Sequence, residues 1–98
     1  MRRVVVTGTG CVSPYGCGTE KIWNAVINGK SCIKPFTFDV PTQIVKFGGE
    51  VTELNYEGIL TDKEAKRWDD FILYSVVATM EAAKQGNFDM SKENPFKV

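Results

Sequence analysis

Residues 4–14 read VVVTGTGCVSP, and the fold of the whole chain depends on how this stretch is interpreted. It opens with three valines in a row, which are apolar and β-branched on both faces of an extended chain. Such runs are typical of strands that are covered on both sides, as in the parallel sheets of α/β proteins. Residues 3–7 are therefore predicted to form a buried strand, and the glycines and proline of residues 8–18 predict a loop after it.

The glycines of this stretch partly match the dinucleotide-binding fingerprint G-x-G-x-x-G. Gly8 and Gly10 fit its first two positions, but Ser13 stands at the third, where glycine allows a helix and a strand to pack closely. The next helix is predicted to begin only after Thr19, too far along the chain to direct its N-terminus at a pyrophosphate. We therefore interpret the glycines as a tight exit from a strand and keep a small nucleotide-binding domain as an alternative.

A second partial match lies at residues 24–31, NAVINGKS, which end like a phosphate-binding P-loop. That motif needs a glycine where this chain has Asn24, and a strand where it has an amphipathic segment. The glycine of NGKS is therefore better interpreted as the end of a helix.

The composition is that of an ordinary globular protein. With 98 residues, of which 43% are hydrophobic and 24% charged, the chain is one small domain or one piece of a larger one. Twelve basic residues balance twelve acidic ones, so no overall field favours nucleic acid or a membrane surface as a partner. No stretch approaches the ~20 apolar residues of a membrane span. We therefore expect no nucleic acid and no membrane among the partners.

The cysteine pattern predicts reduced thiols. Cys11, Cys17 and Cys32 are odd in number and lack C-x-x-C spacing, and the chain contains no histidine. A disulfide framework, a zinc site and any other metal or cofactor are therefore not expected. A nucleophilic cysteine would also lack a histidine base. Reduced thiols favour a cytoplasmic protein.

The spacing of apolar residues predicts a first helix after residues 8–18. Thr19 is expected to cap it, and Asn28-Gly29 is expected to end it. Its apolar face carries Ile22, Trp23, Val26 and Ile27. Residues 30–43 are then predicted to be irregular, and residues 44–51 to form a weak strand that two glycines interrupt.

A second, longer helix is predicted from Thr61 onward. Thr61 and Glu64 have the spacing of a capping box, in which each side chain accepts a hydrogen bond from a free N–H at the helix start. Apolar residues continue at helical spacing to Gly86, which predicts a single helix of about 24 residues. The residues of this stripe are Trp68, Ile72, Val76, Thr79 and Ala83.

One local cluster of charge lies at the start of this helix. Lys63, Lys66 and Arg67 fall within an arc of roughly 100°, opposite the apolar stripe. They form either a solvated face, with Lys66 paired to Asp70 four residues on, or a docking site for an acidic partner. The spacing alone leaves both interpretations open.

Four stretches, taken in order, resemble the N-terminus of one family. They are the opening valine run, TGTGCVSPYG at residues 7–16, WNAVINGKS at residues 23–31 and DKEAKRWDDFILYS at residues 62–75. Their order and spacing resemble the β-ketoacyl-acyl carrier protein synthases, the elongating enzymes of bacterial type II fatty acid synthesis, over all 98 residues. The three cysteines and Trp68 depart from the residues that are usual in the family.

The resemblance implies a thiolase-like α/β fold, of which this chain would form only the N-terminal portion. That portion comprises a first core strand, an amphipathic helix, a short strand and a long helix, and the first strand would lie centrally in a parallel sheet. Residues 1–98 are thus expected to be an N-terminal fragment of the synthase's N-terminal domain, ending before its second core strand.

The resemblance also implies an activity. These enzymes are acyltransferases that carry an acyl chain on a cysteine and use two histidines in a decarboxylative condensation with malonyl-carrier protein. No cysteine of this chain stands in the matching motif, so no catalytic residue is assigned, and the chain by itself is expected to be inactive. Full-length members of the family are homodimers, and the fragment is expected to self-associate.

Docking of the carrier protein is the role that the resemblance implies for the basic cluster. In the family, basic residues at the start of the long helix contact the acidic acyl carrier protein, and Lys63, Lys66 and Arg67 stand at the matching positions. The resemblance therefore favours docking of acyl- and malonyl-carrier protein over a solvated face. A non-catalytic module that keeps this helix as an interaction surface is the alternative function.

Overall fold

The computed structural model describes residues 2–39 and 41–97, and over these residues it contains three α-helices and four strands of two residues each. In chain order they are β1 (Val12–Ser13), β2 (Gly16–Cys17), α1 (Thr19–Ile27), β3 (Lys34–Pro35), β4 (Phe47–Gly48), α2 (Asp62–Arg67) and α3 (Asp70–Gln85), followed by a 3-10 helix at Met90–Lys92. β1 pairs with β2 and β3 pairs with β4, both antiparallel. None of the helices described is both long and apolar enough to cross a membrane.

The predicted buried strand at residues 3–7 is not formed. The side chains of Val4, Val5 and Val6 are 93%, 68% and 83% exposed, and none of the strands in the described part of the chain pairs with them. An extended segment becomes a parallel strand only where neighbouring strands satisfy its N–H and C=O groups. The described residues supply only short antiparallel pairs, so the valine run has no sheet to join.

The glycines that follow the valine run lie directly on α3. A Cβ atom at Gly8 would overlap the carbonyl oxygen of Ala82, and one at Gly10 would overlap the carbonyl oxygen of Ala78. Because these two alanines are four residues apart, they lie on one face of the helix. The glycines therefore permit a close approach of backbone to backbone, a role in helix packing rather than the exit from a strand that we predicted.

α1 begins and ends close to its predicted bounds. Gly18, with φ of 107°, is its N-cap, and Thr19 is its first helical residue rather than its cap. The N–H of Thr19 donates to Oε1 of Glu81 at 3.0 Å, so a carboxylate of α3 satisfies a donor at this helix start. The predicted end is confirmed, because Asn28 is the C-cap and Gly29 follows it with φ of 65°, in the left-handed region that favours glycine.

The apolar face predicted for α1 is largely uncovered. Ala25 is the only residue of the helix that is buried, and Ile22 is half-buried. Trp23, Val26 and Ile27 are exposed. The sequence therefore predicted an apolar face that the described residues do not bury.

The single long helix that we predicted from Thr61 to Gly86 is divided into α2 and α3. Trp68 and Asp69 separate them with extended backbone, at ψ of 146° and 153°. Asp69 then serves as the N-cap of α3, and its carbonyl oxygen accepts from the N–H of Ile72 and Leu73 at 3.0 and 3.2 Å. The predicted single helix is therefore wrong at this junction.

The order of charges explains the break. Lys66 and Arg67 lie in the last turn of α2, where positive charge is favourable, and Asp70 lies in the first turn of α3, where negative charge is favourable. Asp69 is the N-cap of α3, although its side chain accepts no hydrogen bond from the first turn. The local sequence therefore supports one helix end followed by a new helix start.

The face that α3 buries is displaced from the predicted stripe. Leu73 and Val77 are the buried residues of α3, whereas Thr79 is exposed. The glycine stretch is also bonded to this helix, because the N–H of Thr9 donates to Oε1 of Gln85 at 2.7 Å. The other residues of the predicted stripe, Trp68, Ile72, Val76 and Ala83, are half-buried. The buried face is therefore displaced by about one residue, or 100°, from the predicted stripe.

The region between α1 and α2 contains a pair of short antiparallel strands, where we predicted a single weak strand. Within the predicted weak strand at residues 44–51, only Phe47–Gly48 form a strand. Their partners, Lys34–Pro35, lie in the region that was predicted to be irregular. Val40, in the same region, lies outside the described residues. Phe36 stacks on Phe38 with ring centroids 4.7 Å apart. The ring of Phe36 also lies against Gly48, where a Cβ atom would approach it to 2.7 Å.

The chain exposes far more surface than a compact protein of its mass. A monomer of 10.9 kDa is expected to expose about 5,600 Å², whereas this chain exposes 8376 Å². Its radius of gyration is 16.8 Å, against about 12.6 Å for a compact domain of this length. Ala25, Leu73 and Val77 are the buried apolar residues of the described part. The 98 residues therefore build only a small core by themselves.

Candidate functional site

The basic cluster predicted from the sequence lies on α2. Lys63, Lys66 and Arg67 are all exposed, and their i, i+3 and i+4 spacing brings them to one face of this six-residue helix. We call these three residues the basic face. Because α2 ends at Arg67, the direction in which this face points is set separately from that of α3.

None of the three side chains of the basic face forms an ion pair within the described residues, although Asp62 and Glu64 lie on the same helix. The ion pair found over residues 2–39 and 41–97 joins Lys46 Nζ to Asp39 Oδ1 at 3.6 Å, outside α2. The predicted ion pair of Lys66 with Asp70 is not formed among the described residues. The break after Arg67 places Lys66 on α2 and Asp70 on α3. The arrangement is suited to attracting an acidic surface.

The capping box that begins α2 is confirmed. The Oγ1 atom of Thr61 accepts from the N–H of Glu64 at 3.2 Å, and Oε1 of Glu64 accepts from the N–H of Thr61 at 3.5 Å. Two donors at the helix start are thereby satisfied within four residues. α2 is thus defined at its N-terminus by its own sequence.

A tyrosine that the sequence analysis did not identify also contacts the start of α2. The hydroxyl of Tyr56 donates to Oδ1 of Asp62 at 3.0 Å. This hydrogen bond to Asp62, followed by the negative charge of the same carboxylate, raises the pKa of Tyr56 above its usual value of 10.0. In the sequence, Tyr56 precedes Asp62 by six residues, which matches neither helical nor strand periodicity. The sequence pattern therefore does not predict this contact.

The three cysteines do not form a reactive centre with one another. Cys11, Cys17 and Cys32 are free thiols and half-buried. The N–H of Asn55 donates to Sγ of Cys17 at 3.3 Å. Within the described ranges, no group of histidine, cysteine, aspartate or glutamate is arranged to hold a metal ion. None of the thiols has a base beside it that would activate it as a nucleophile.

An open apolar groove of about 660 Å³ runs along α1. Its lining includes Ile22, Trp23 and Val26 from α1 and Gln85 from the end of α3. It contains no nucleophile and no pair of titratable groups, so it provides surface for packing rather than for acid–base chemistry.

Comparison with known proteins gives a consistent result over the whole chain. Residues 1–98 match the family model for the β-ketoacyl synthase N-terminal domain. The chain is 36% identical over 98 residues to the 3-oxoacyl-(acyl-carrier-protein) synthase 2 of Synechocystis sp., which covers 99% of this chain and 24% of that protein. Proteins of the same name from Vibrio cholerae and Staphylococcus aureus are 34% and 33% identical over the same coverage.

The chain spans about a quarter of the length of the curated relatives it matches. The family predicted from the order and spacing of four sequence stretches is nevertheless confirmed, because the family model extends over every residue. This chain belongs to the family of β-ketoacyl synthase N-terminal domains.

Proposed function

We propose that these 98 residues are the N-terminal part of a 3-oxoacyl-acyl carrier protein synthase 2. Such an acyltransferase elongates fatty acyl chains by decarboxylative condensation of an acyl-enzyme with malonyl-carrier protein. The observation that carries the proposal is the match of the whole chain to relatives of that name that are about four times as long. In the complete protein the segment adopts the thiolase-like α/β fold of the family and works within a homodimer.

The exposed surface supports a larger fold around this segment. The chain exposes roughly 2,800 Å² more than a compact protein of its mass. An obligate homodimer buries about 2,000–5,000 Å² or more in total, or about 1,000–2,500 Å² or more from each chain. The excess is comparable to the larger of these interfaces, and further strands and helices of one domain would cover both the valine run and α1.

The 98 residues alone are inactive in condensation. The chain contains no histidine, and the condensation that the family resemblance implies depends on two of them. Positioned acid–base groups contribute about 10²–10⁴ in rate, so their absence removes most of the reaction. The purified chain is expected to release no carbon dioxide from malonyl-carrier protein. Turnover comparable to that of a full-length synthase would contradict the proposal.

The basic face is the part of this segment that we propose to bind the acyl carrier protein. Lys63, Lys66 and Arg67 are exposed on one helix face, and none of them forms an ion pair with a carboxylate of the described residues. Charge complementarity with an acidic partner chiefly raises the association rate and fixes the orientation of the complex. Exposed pairs contribute only ~0.2–1 kcal/mol each, so the three residues act together rather than through one dominant contact.

Reversal of all three charges tests this assignment. In the full-length protein, Lys63→Glu, Lys66→Glu and Arg67→Glu together are expected to raise KM for acyl-carrier protein severalfold or more. The effect should diminish in salt, since the Debye length falls from ~10 Å at 0.1 M to ~3 Å at 1 M. The measured quantity is the ratio of kcat/KM for carrier-borne substrate to that for a small acyl thioester without carrier.

A matched control keeps the change in net charge the same. Lys30, Lys84 and Lys92 are also exposed but lie outside α2, and their joint replacement by glutamate should leave the ratio unchanged. If reversal of the basic face damages both substrates equally, the face is structural and the docking assignment is wrong.

A further inference from the structure

α2 has almost no packing of its own to fix its direction. None of its six residues is buried, and only Ala65 is half-buried. An exposed helix of this length is marginal in isolation, because most helical stability in proteins comes from tertiary packing. The orientation of the basic face must therefore depend on what holds the ends of the helix.

The N-terminal end is held by Tyr56, which lies before the turn that leads into α2. The carbonyl oxygen of Tyr56 accepts from the N–H of Ile59 and of Leu60, both at 3.0 Å, and this closes the turn. Its hydroxyl reaches forward to Oδ1 of Asp62, the first residue of α2, at 3.0 Å. One half-buried residue therefore bonds both to the turn and to the helix that follows it.

We propose that Tyr56 is a positioning residue for carrier docking: through Asp62 it sets the direction of α2 and thereby presents the basic face. This inference rests on the docking function proposed above for Lys63, Lys66 and Arg67. Tyr56 acts through the helix and does not itself bind the carrier protein.

The hydrogen bond between Tyr56 and Asp62 joins a phenol donor to a carboxylate acceptor. A carboxylate that accepts from a phenol forms a charge-assisted hydrogen bond, which is stronger than a bond between neutral groups. The raised pKa of Tyr56 keeps the hydroxyl protonated, and able to donate, throughout the neutral range. The hydroxyl loses its ability to donate only when pH rises through that raised pKa.

Tyr56→Phe in the full-length protein removes the hydroxyl and leaves the ring. The loss of one such hydrogen bond is expected to raise KM for acyl-carrier protein about two- to tenfold with kcat unchanged. In an Asp62→Ala background the same substitution should have no further effect on KM, because its partner is already absent. This coupling shows that Tyr56 acts through Asp62, and an unchanged KM for a small acyl thioester without carrier separates the effect from a general loss of stability.

Tyr15→Phe is the matched control. The hydroxyl of Tyr15 is also engaged in a hydrogen bond, to the carbonyl oxygen of Lys30, but that bond lies away from α2. Tyr15→Phe also loses the contacts of that hydroxyl with Cys32, so its decrease in Tm is expected to be at least as large as that of Tyr56→Phe. Only Tyr56→Phe should change KM for the carrier-borne substrate.

The outcomes separate this inference from the proposed function. If charge reversal of the basic face raises KM for the carrier but Tyr56→Phe does not, docking stands and the positioning role is wrong. If Tyr56→Phe and Tyr15→Phe raise KM equally, Tyr56 has a structural role only. If charge reversal itself has no carrier-specific effect, the docking assignment fails, and the positioning role fails with it.

Discussion

At the scale of single residues, Gly8 and Gly10 show how a partial motif can serve packing instead of ligand binding. Each glycine faces a backbone carbonyl of α3, and no rotation of a side chain could relieve the overlap that a Cβ atom would create there. Gly86 extends the same contact, since a Cβ atom on it would lie 3.0 Å from Oγ1 of Thr7. The positions 78, 82 and 86, four residues apart, form the small-residue face on which the glycine stretch lies.

Gly10→Ala in the full-length protein is expected to lower the free energy of unfolding by about 1–3 kcal/mol or more, because overpacking against backbone cannot be relieved cheaply. Gly29→Ala is the matched control. Gly29 has φ of 65° but open space around it, so its replacement costs only the backbone strain of about 1–2 kcal/mol. Urea denaturation of both variants gives the comparison. A loss below about 1 kcal/mol for Gly10→Ala would contradict the close approach.

At the scale of secondary structure, the division between α2 and α3 is the feature with the most functional weight. The sequence KRWDD contains the charges of a helix end followed directly by those of a helix start. A continuous helix would fix the basic face rigidly to the buried face of α3. Because of the break, α2 has a capping box of its own at Thr61 and Glu64, and the hydrogen bond from Tyr56 to Asp62 joins the helix to the turn before it.

At the scale of the whole molecule, exposed apolar surface dominates the behaviour expected of the isolated chain. Val4, Val5 and Val6 offer unpaired N–H and C=O groups beside apolar side chains, which favours pairing with another chain. The net charge of zero provides no repulsion to oppose association. The surface in excess of a compact monomer is large enough to drive it.

We therefore expect the purified 98 residues, at tens of micromolar, to sediment above the monomer mass of 10.9 kDa. Val5→Lys should reduce the association, because a charge in the valine run opposes edge-to-edge pairing. Ile44→Lys is the matched control, since Ile44 is equally apolar and 95% exposed but lies outside the run. A stable monomer that unfolds cooperatively would contradict this expectation.

The local elements were predictable because their determinants are close in sequence. The end of α1 at Asn28-Gly29 and the capping box at Thr61 depend on residues within one helical turn, and the structure confirms both. The family was also predictable, because four motifs in order are specific even where each is modest. The basic face was found by the same means, since i, i+3 and i+4 spacing needs only a helix.

Tertiary structure alone decided which surfaces meet. The valine run has the composition of a buried strand, but burial requires neighbours that the described residues do not supply. α3 buries Leu73 and Val77 rather than the predicted stripe around Ile72, and the glycine stretch lies on a different face of the same helix, at Ala78 and Ala82. Tyr56 contacts Asp62 across a turn, and turns have no sequence periodicity from which such a contact could be predicted. Local sequence thus determined the end of α1 and the start of α2, whereas contacts between distant segments determined what the helices bury.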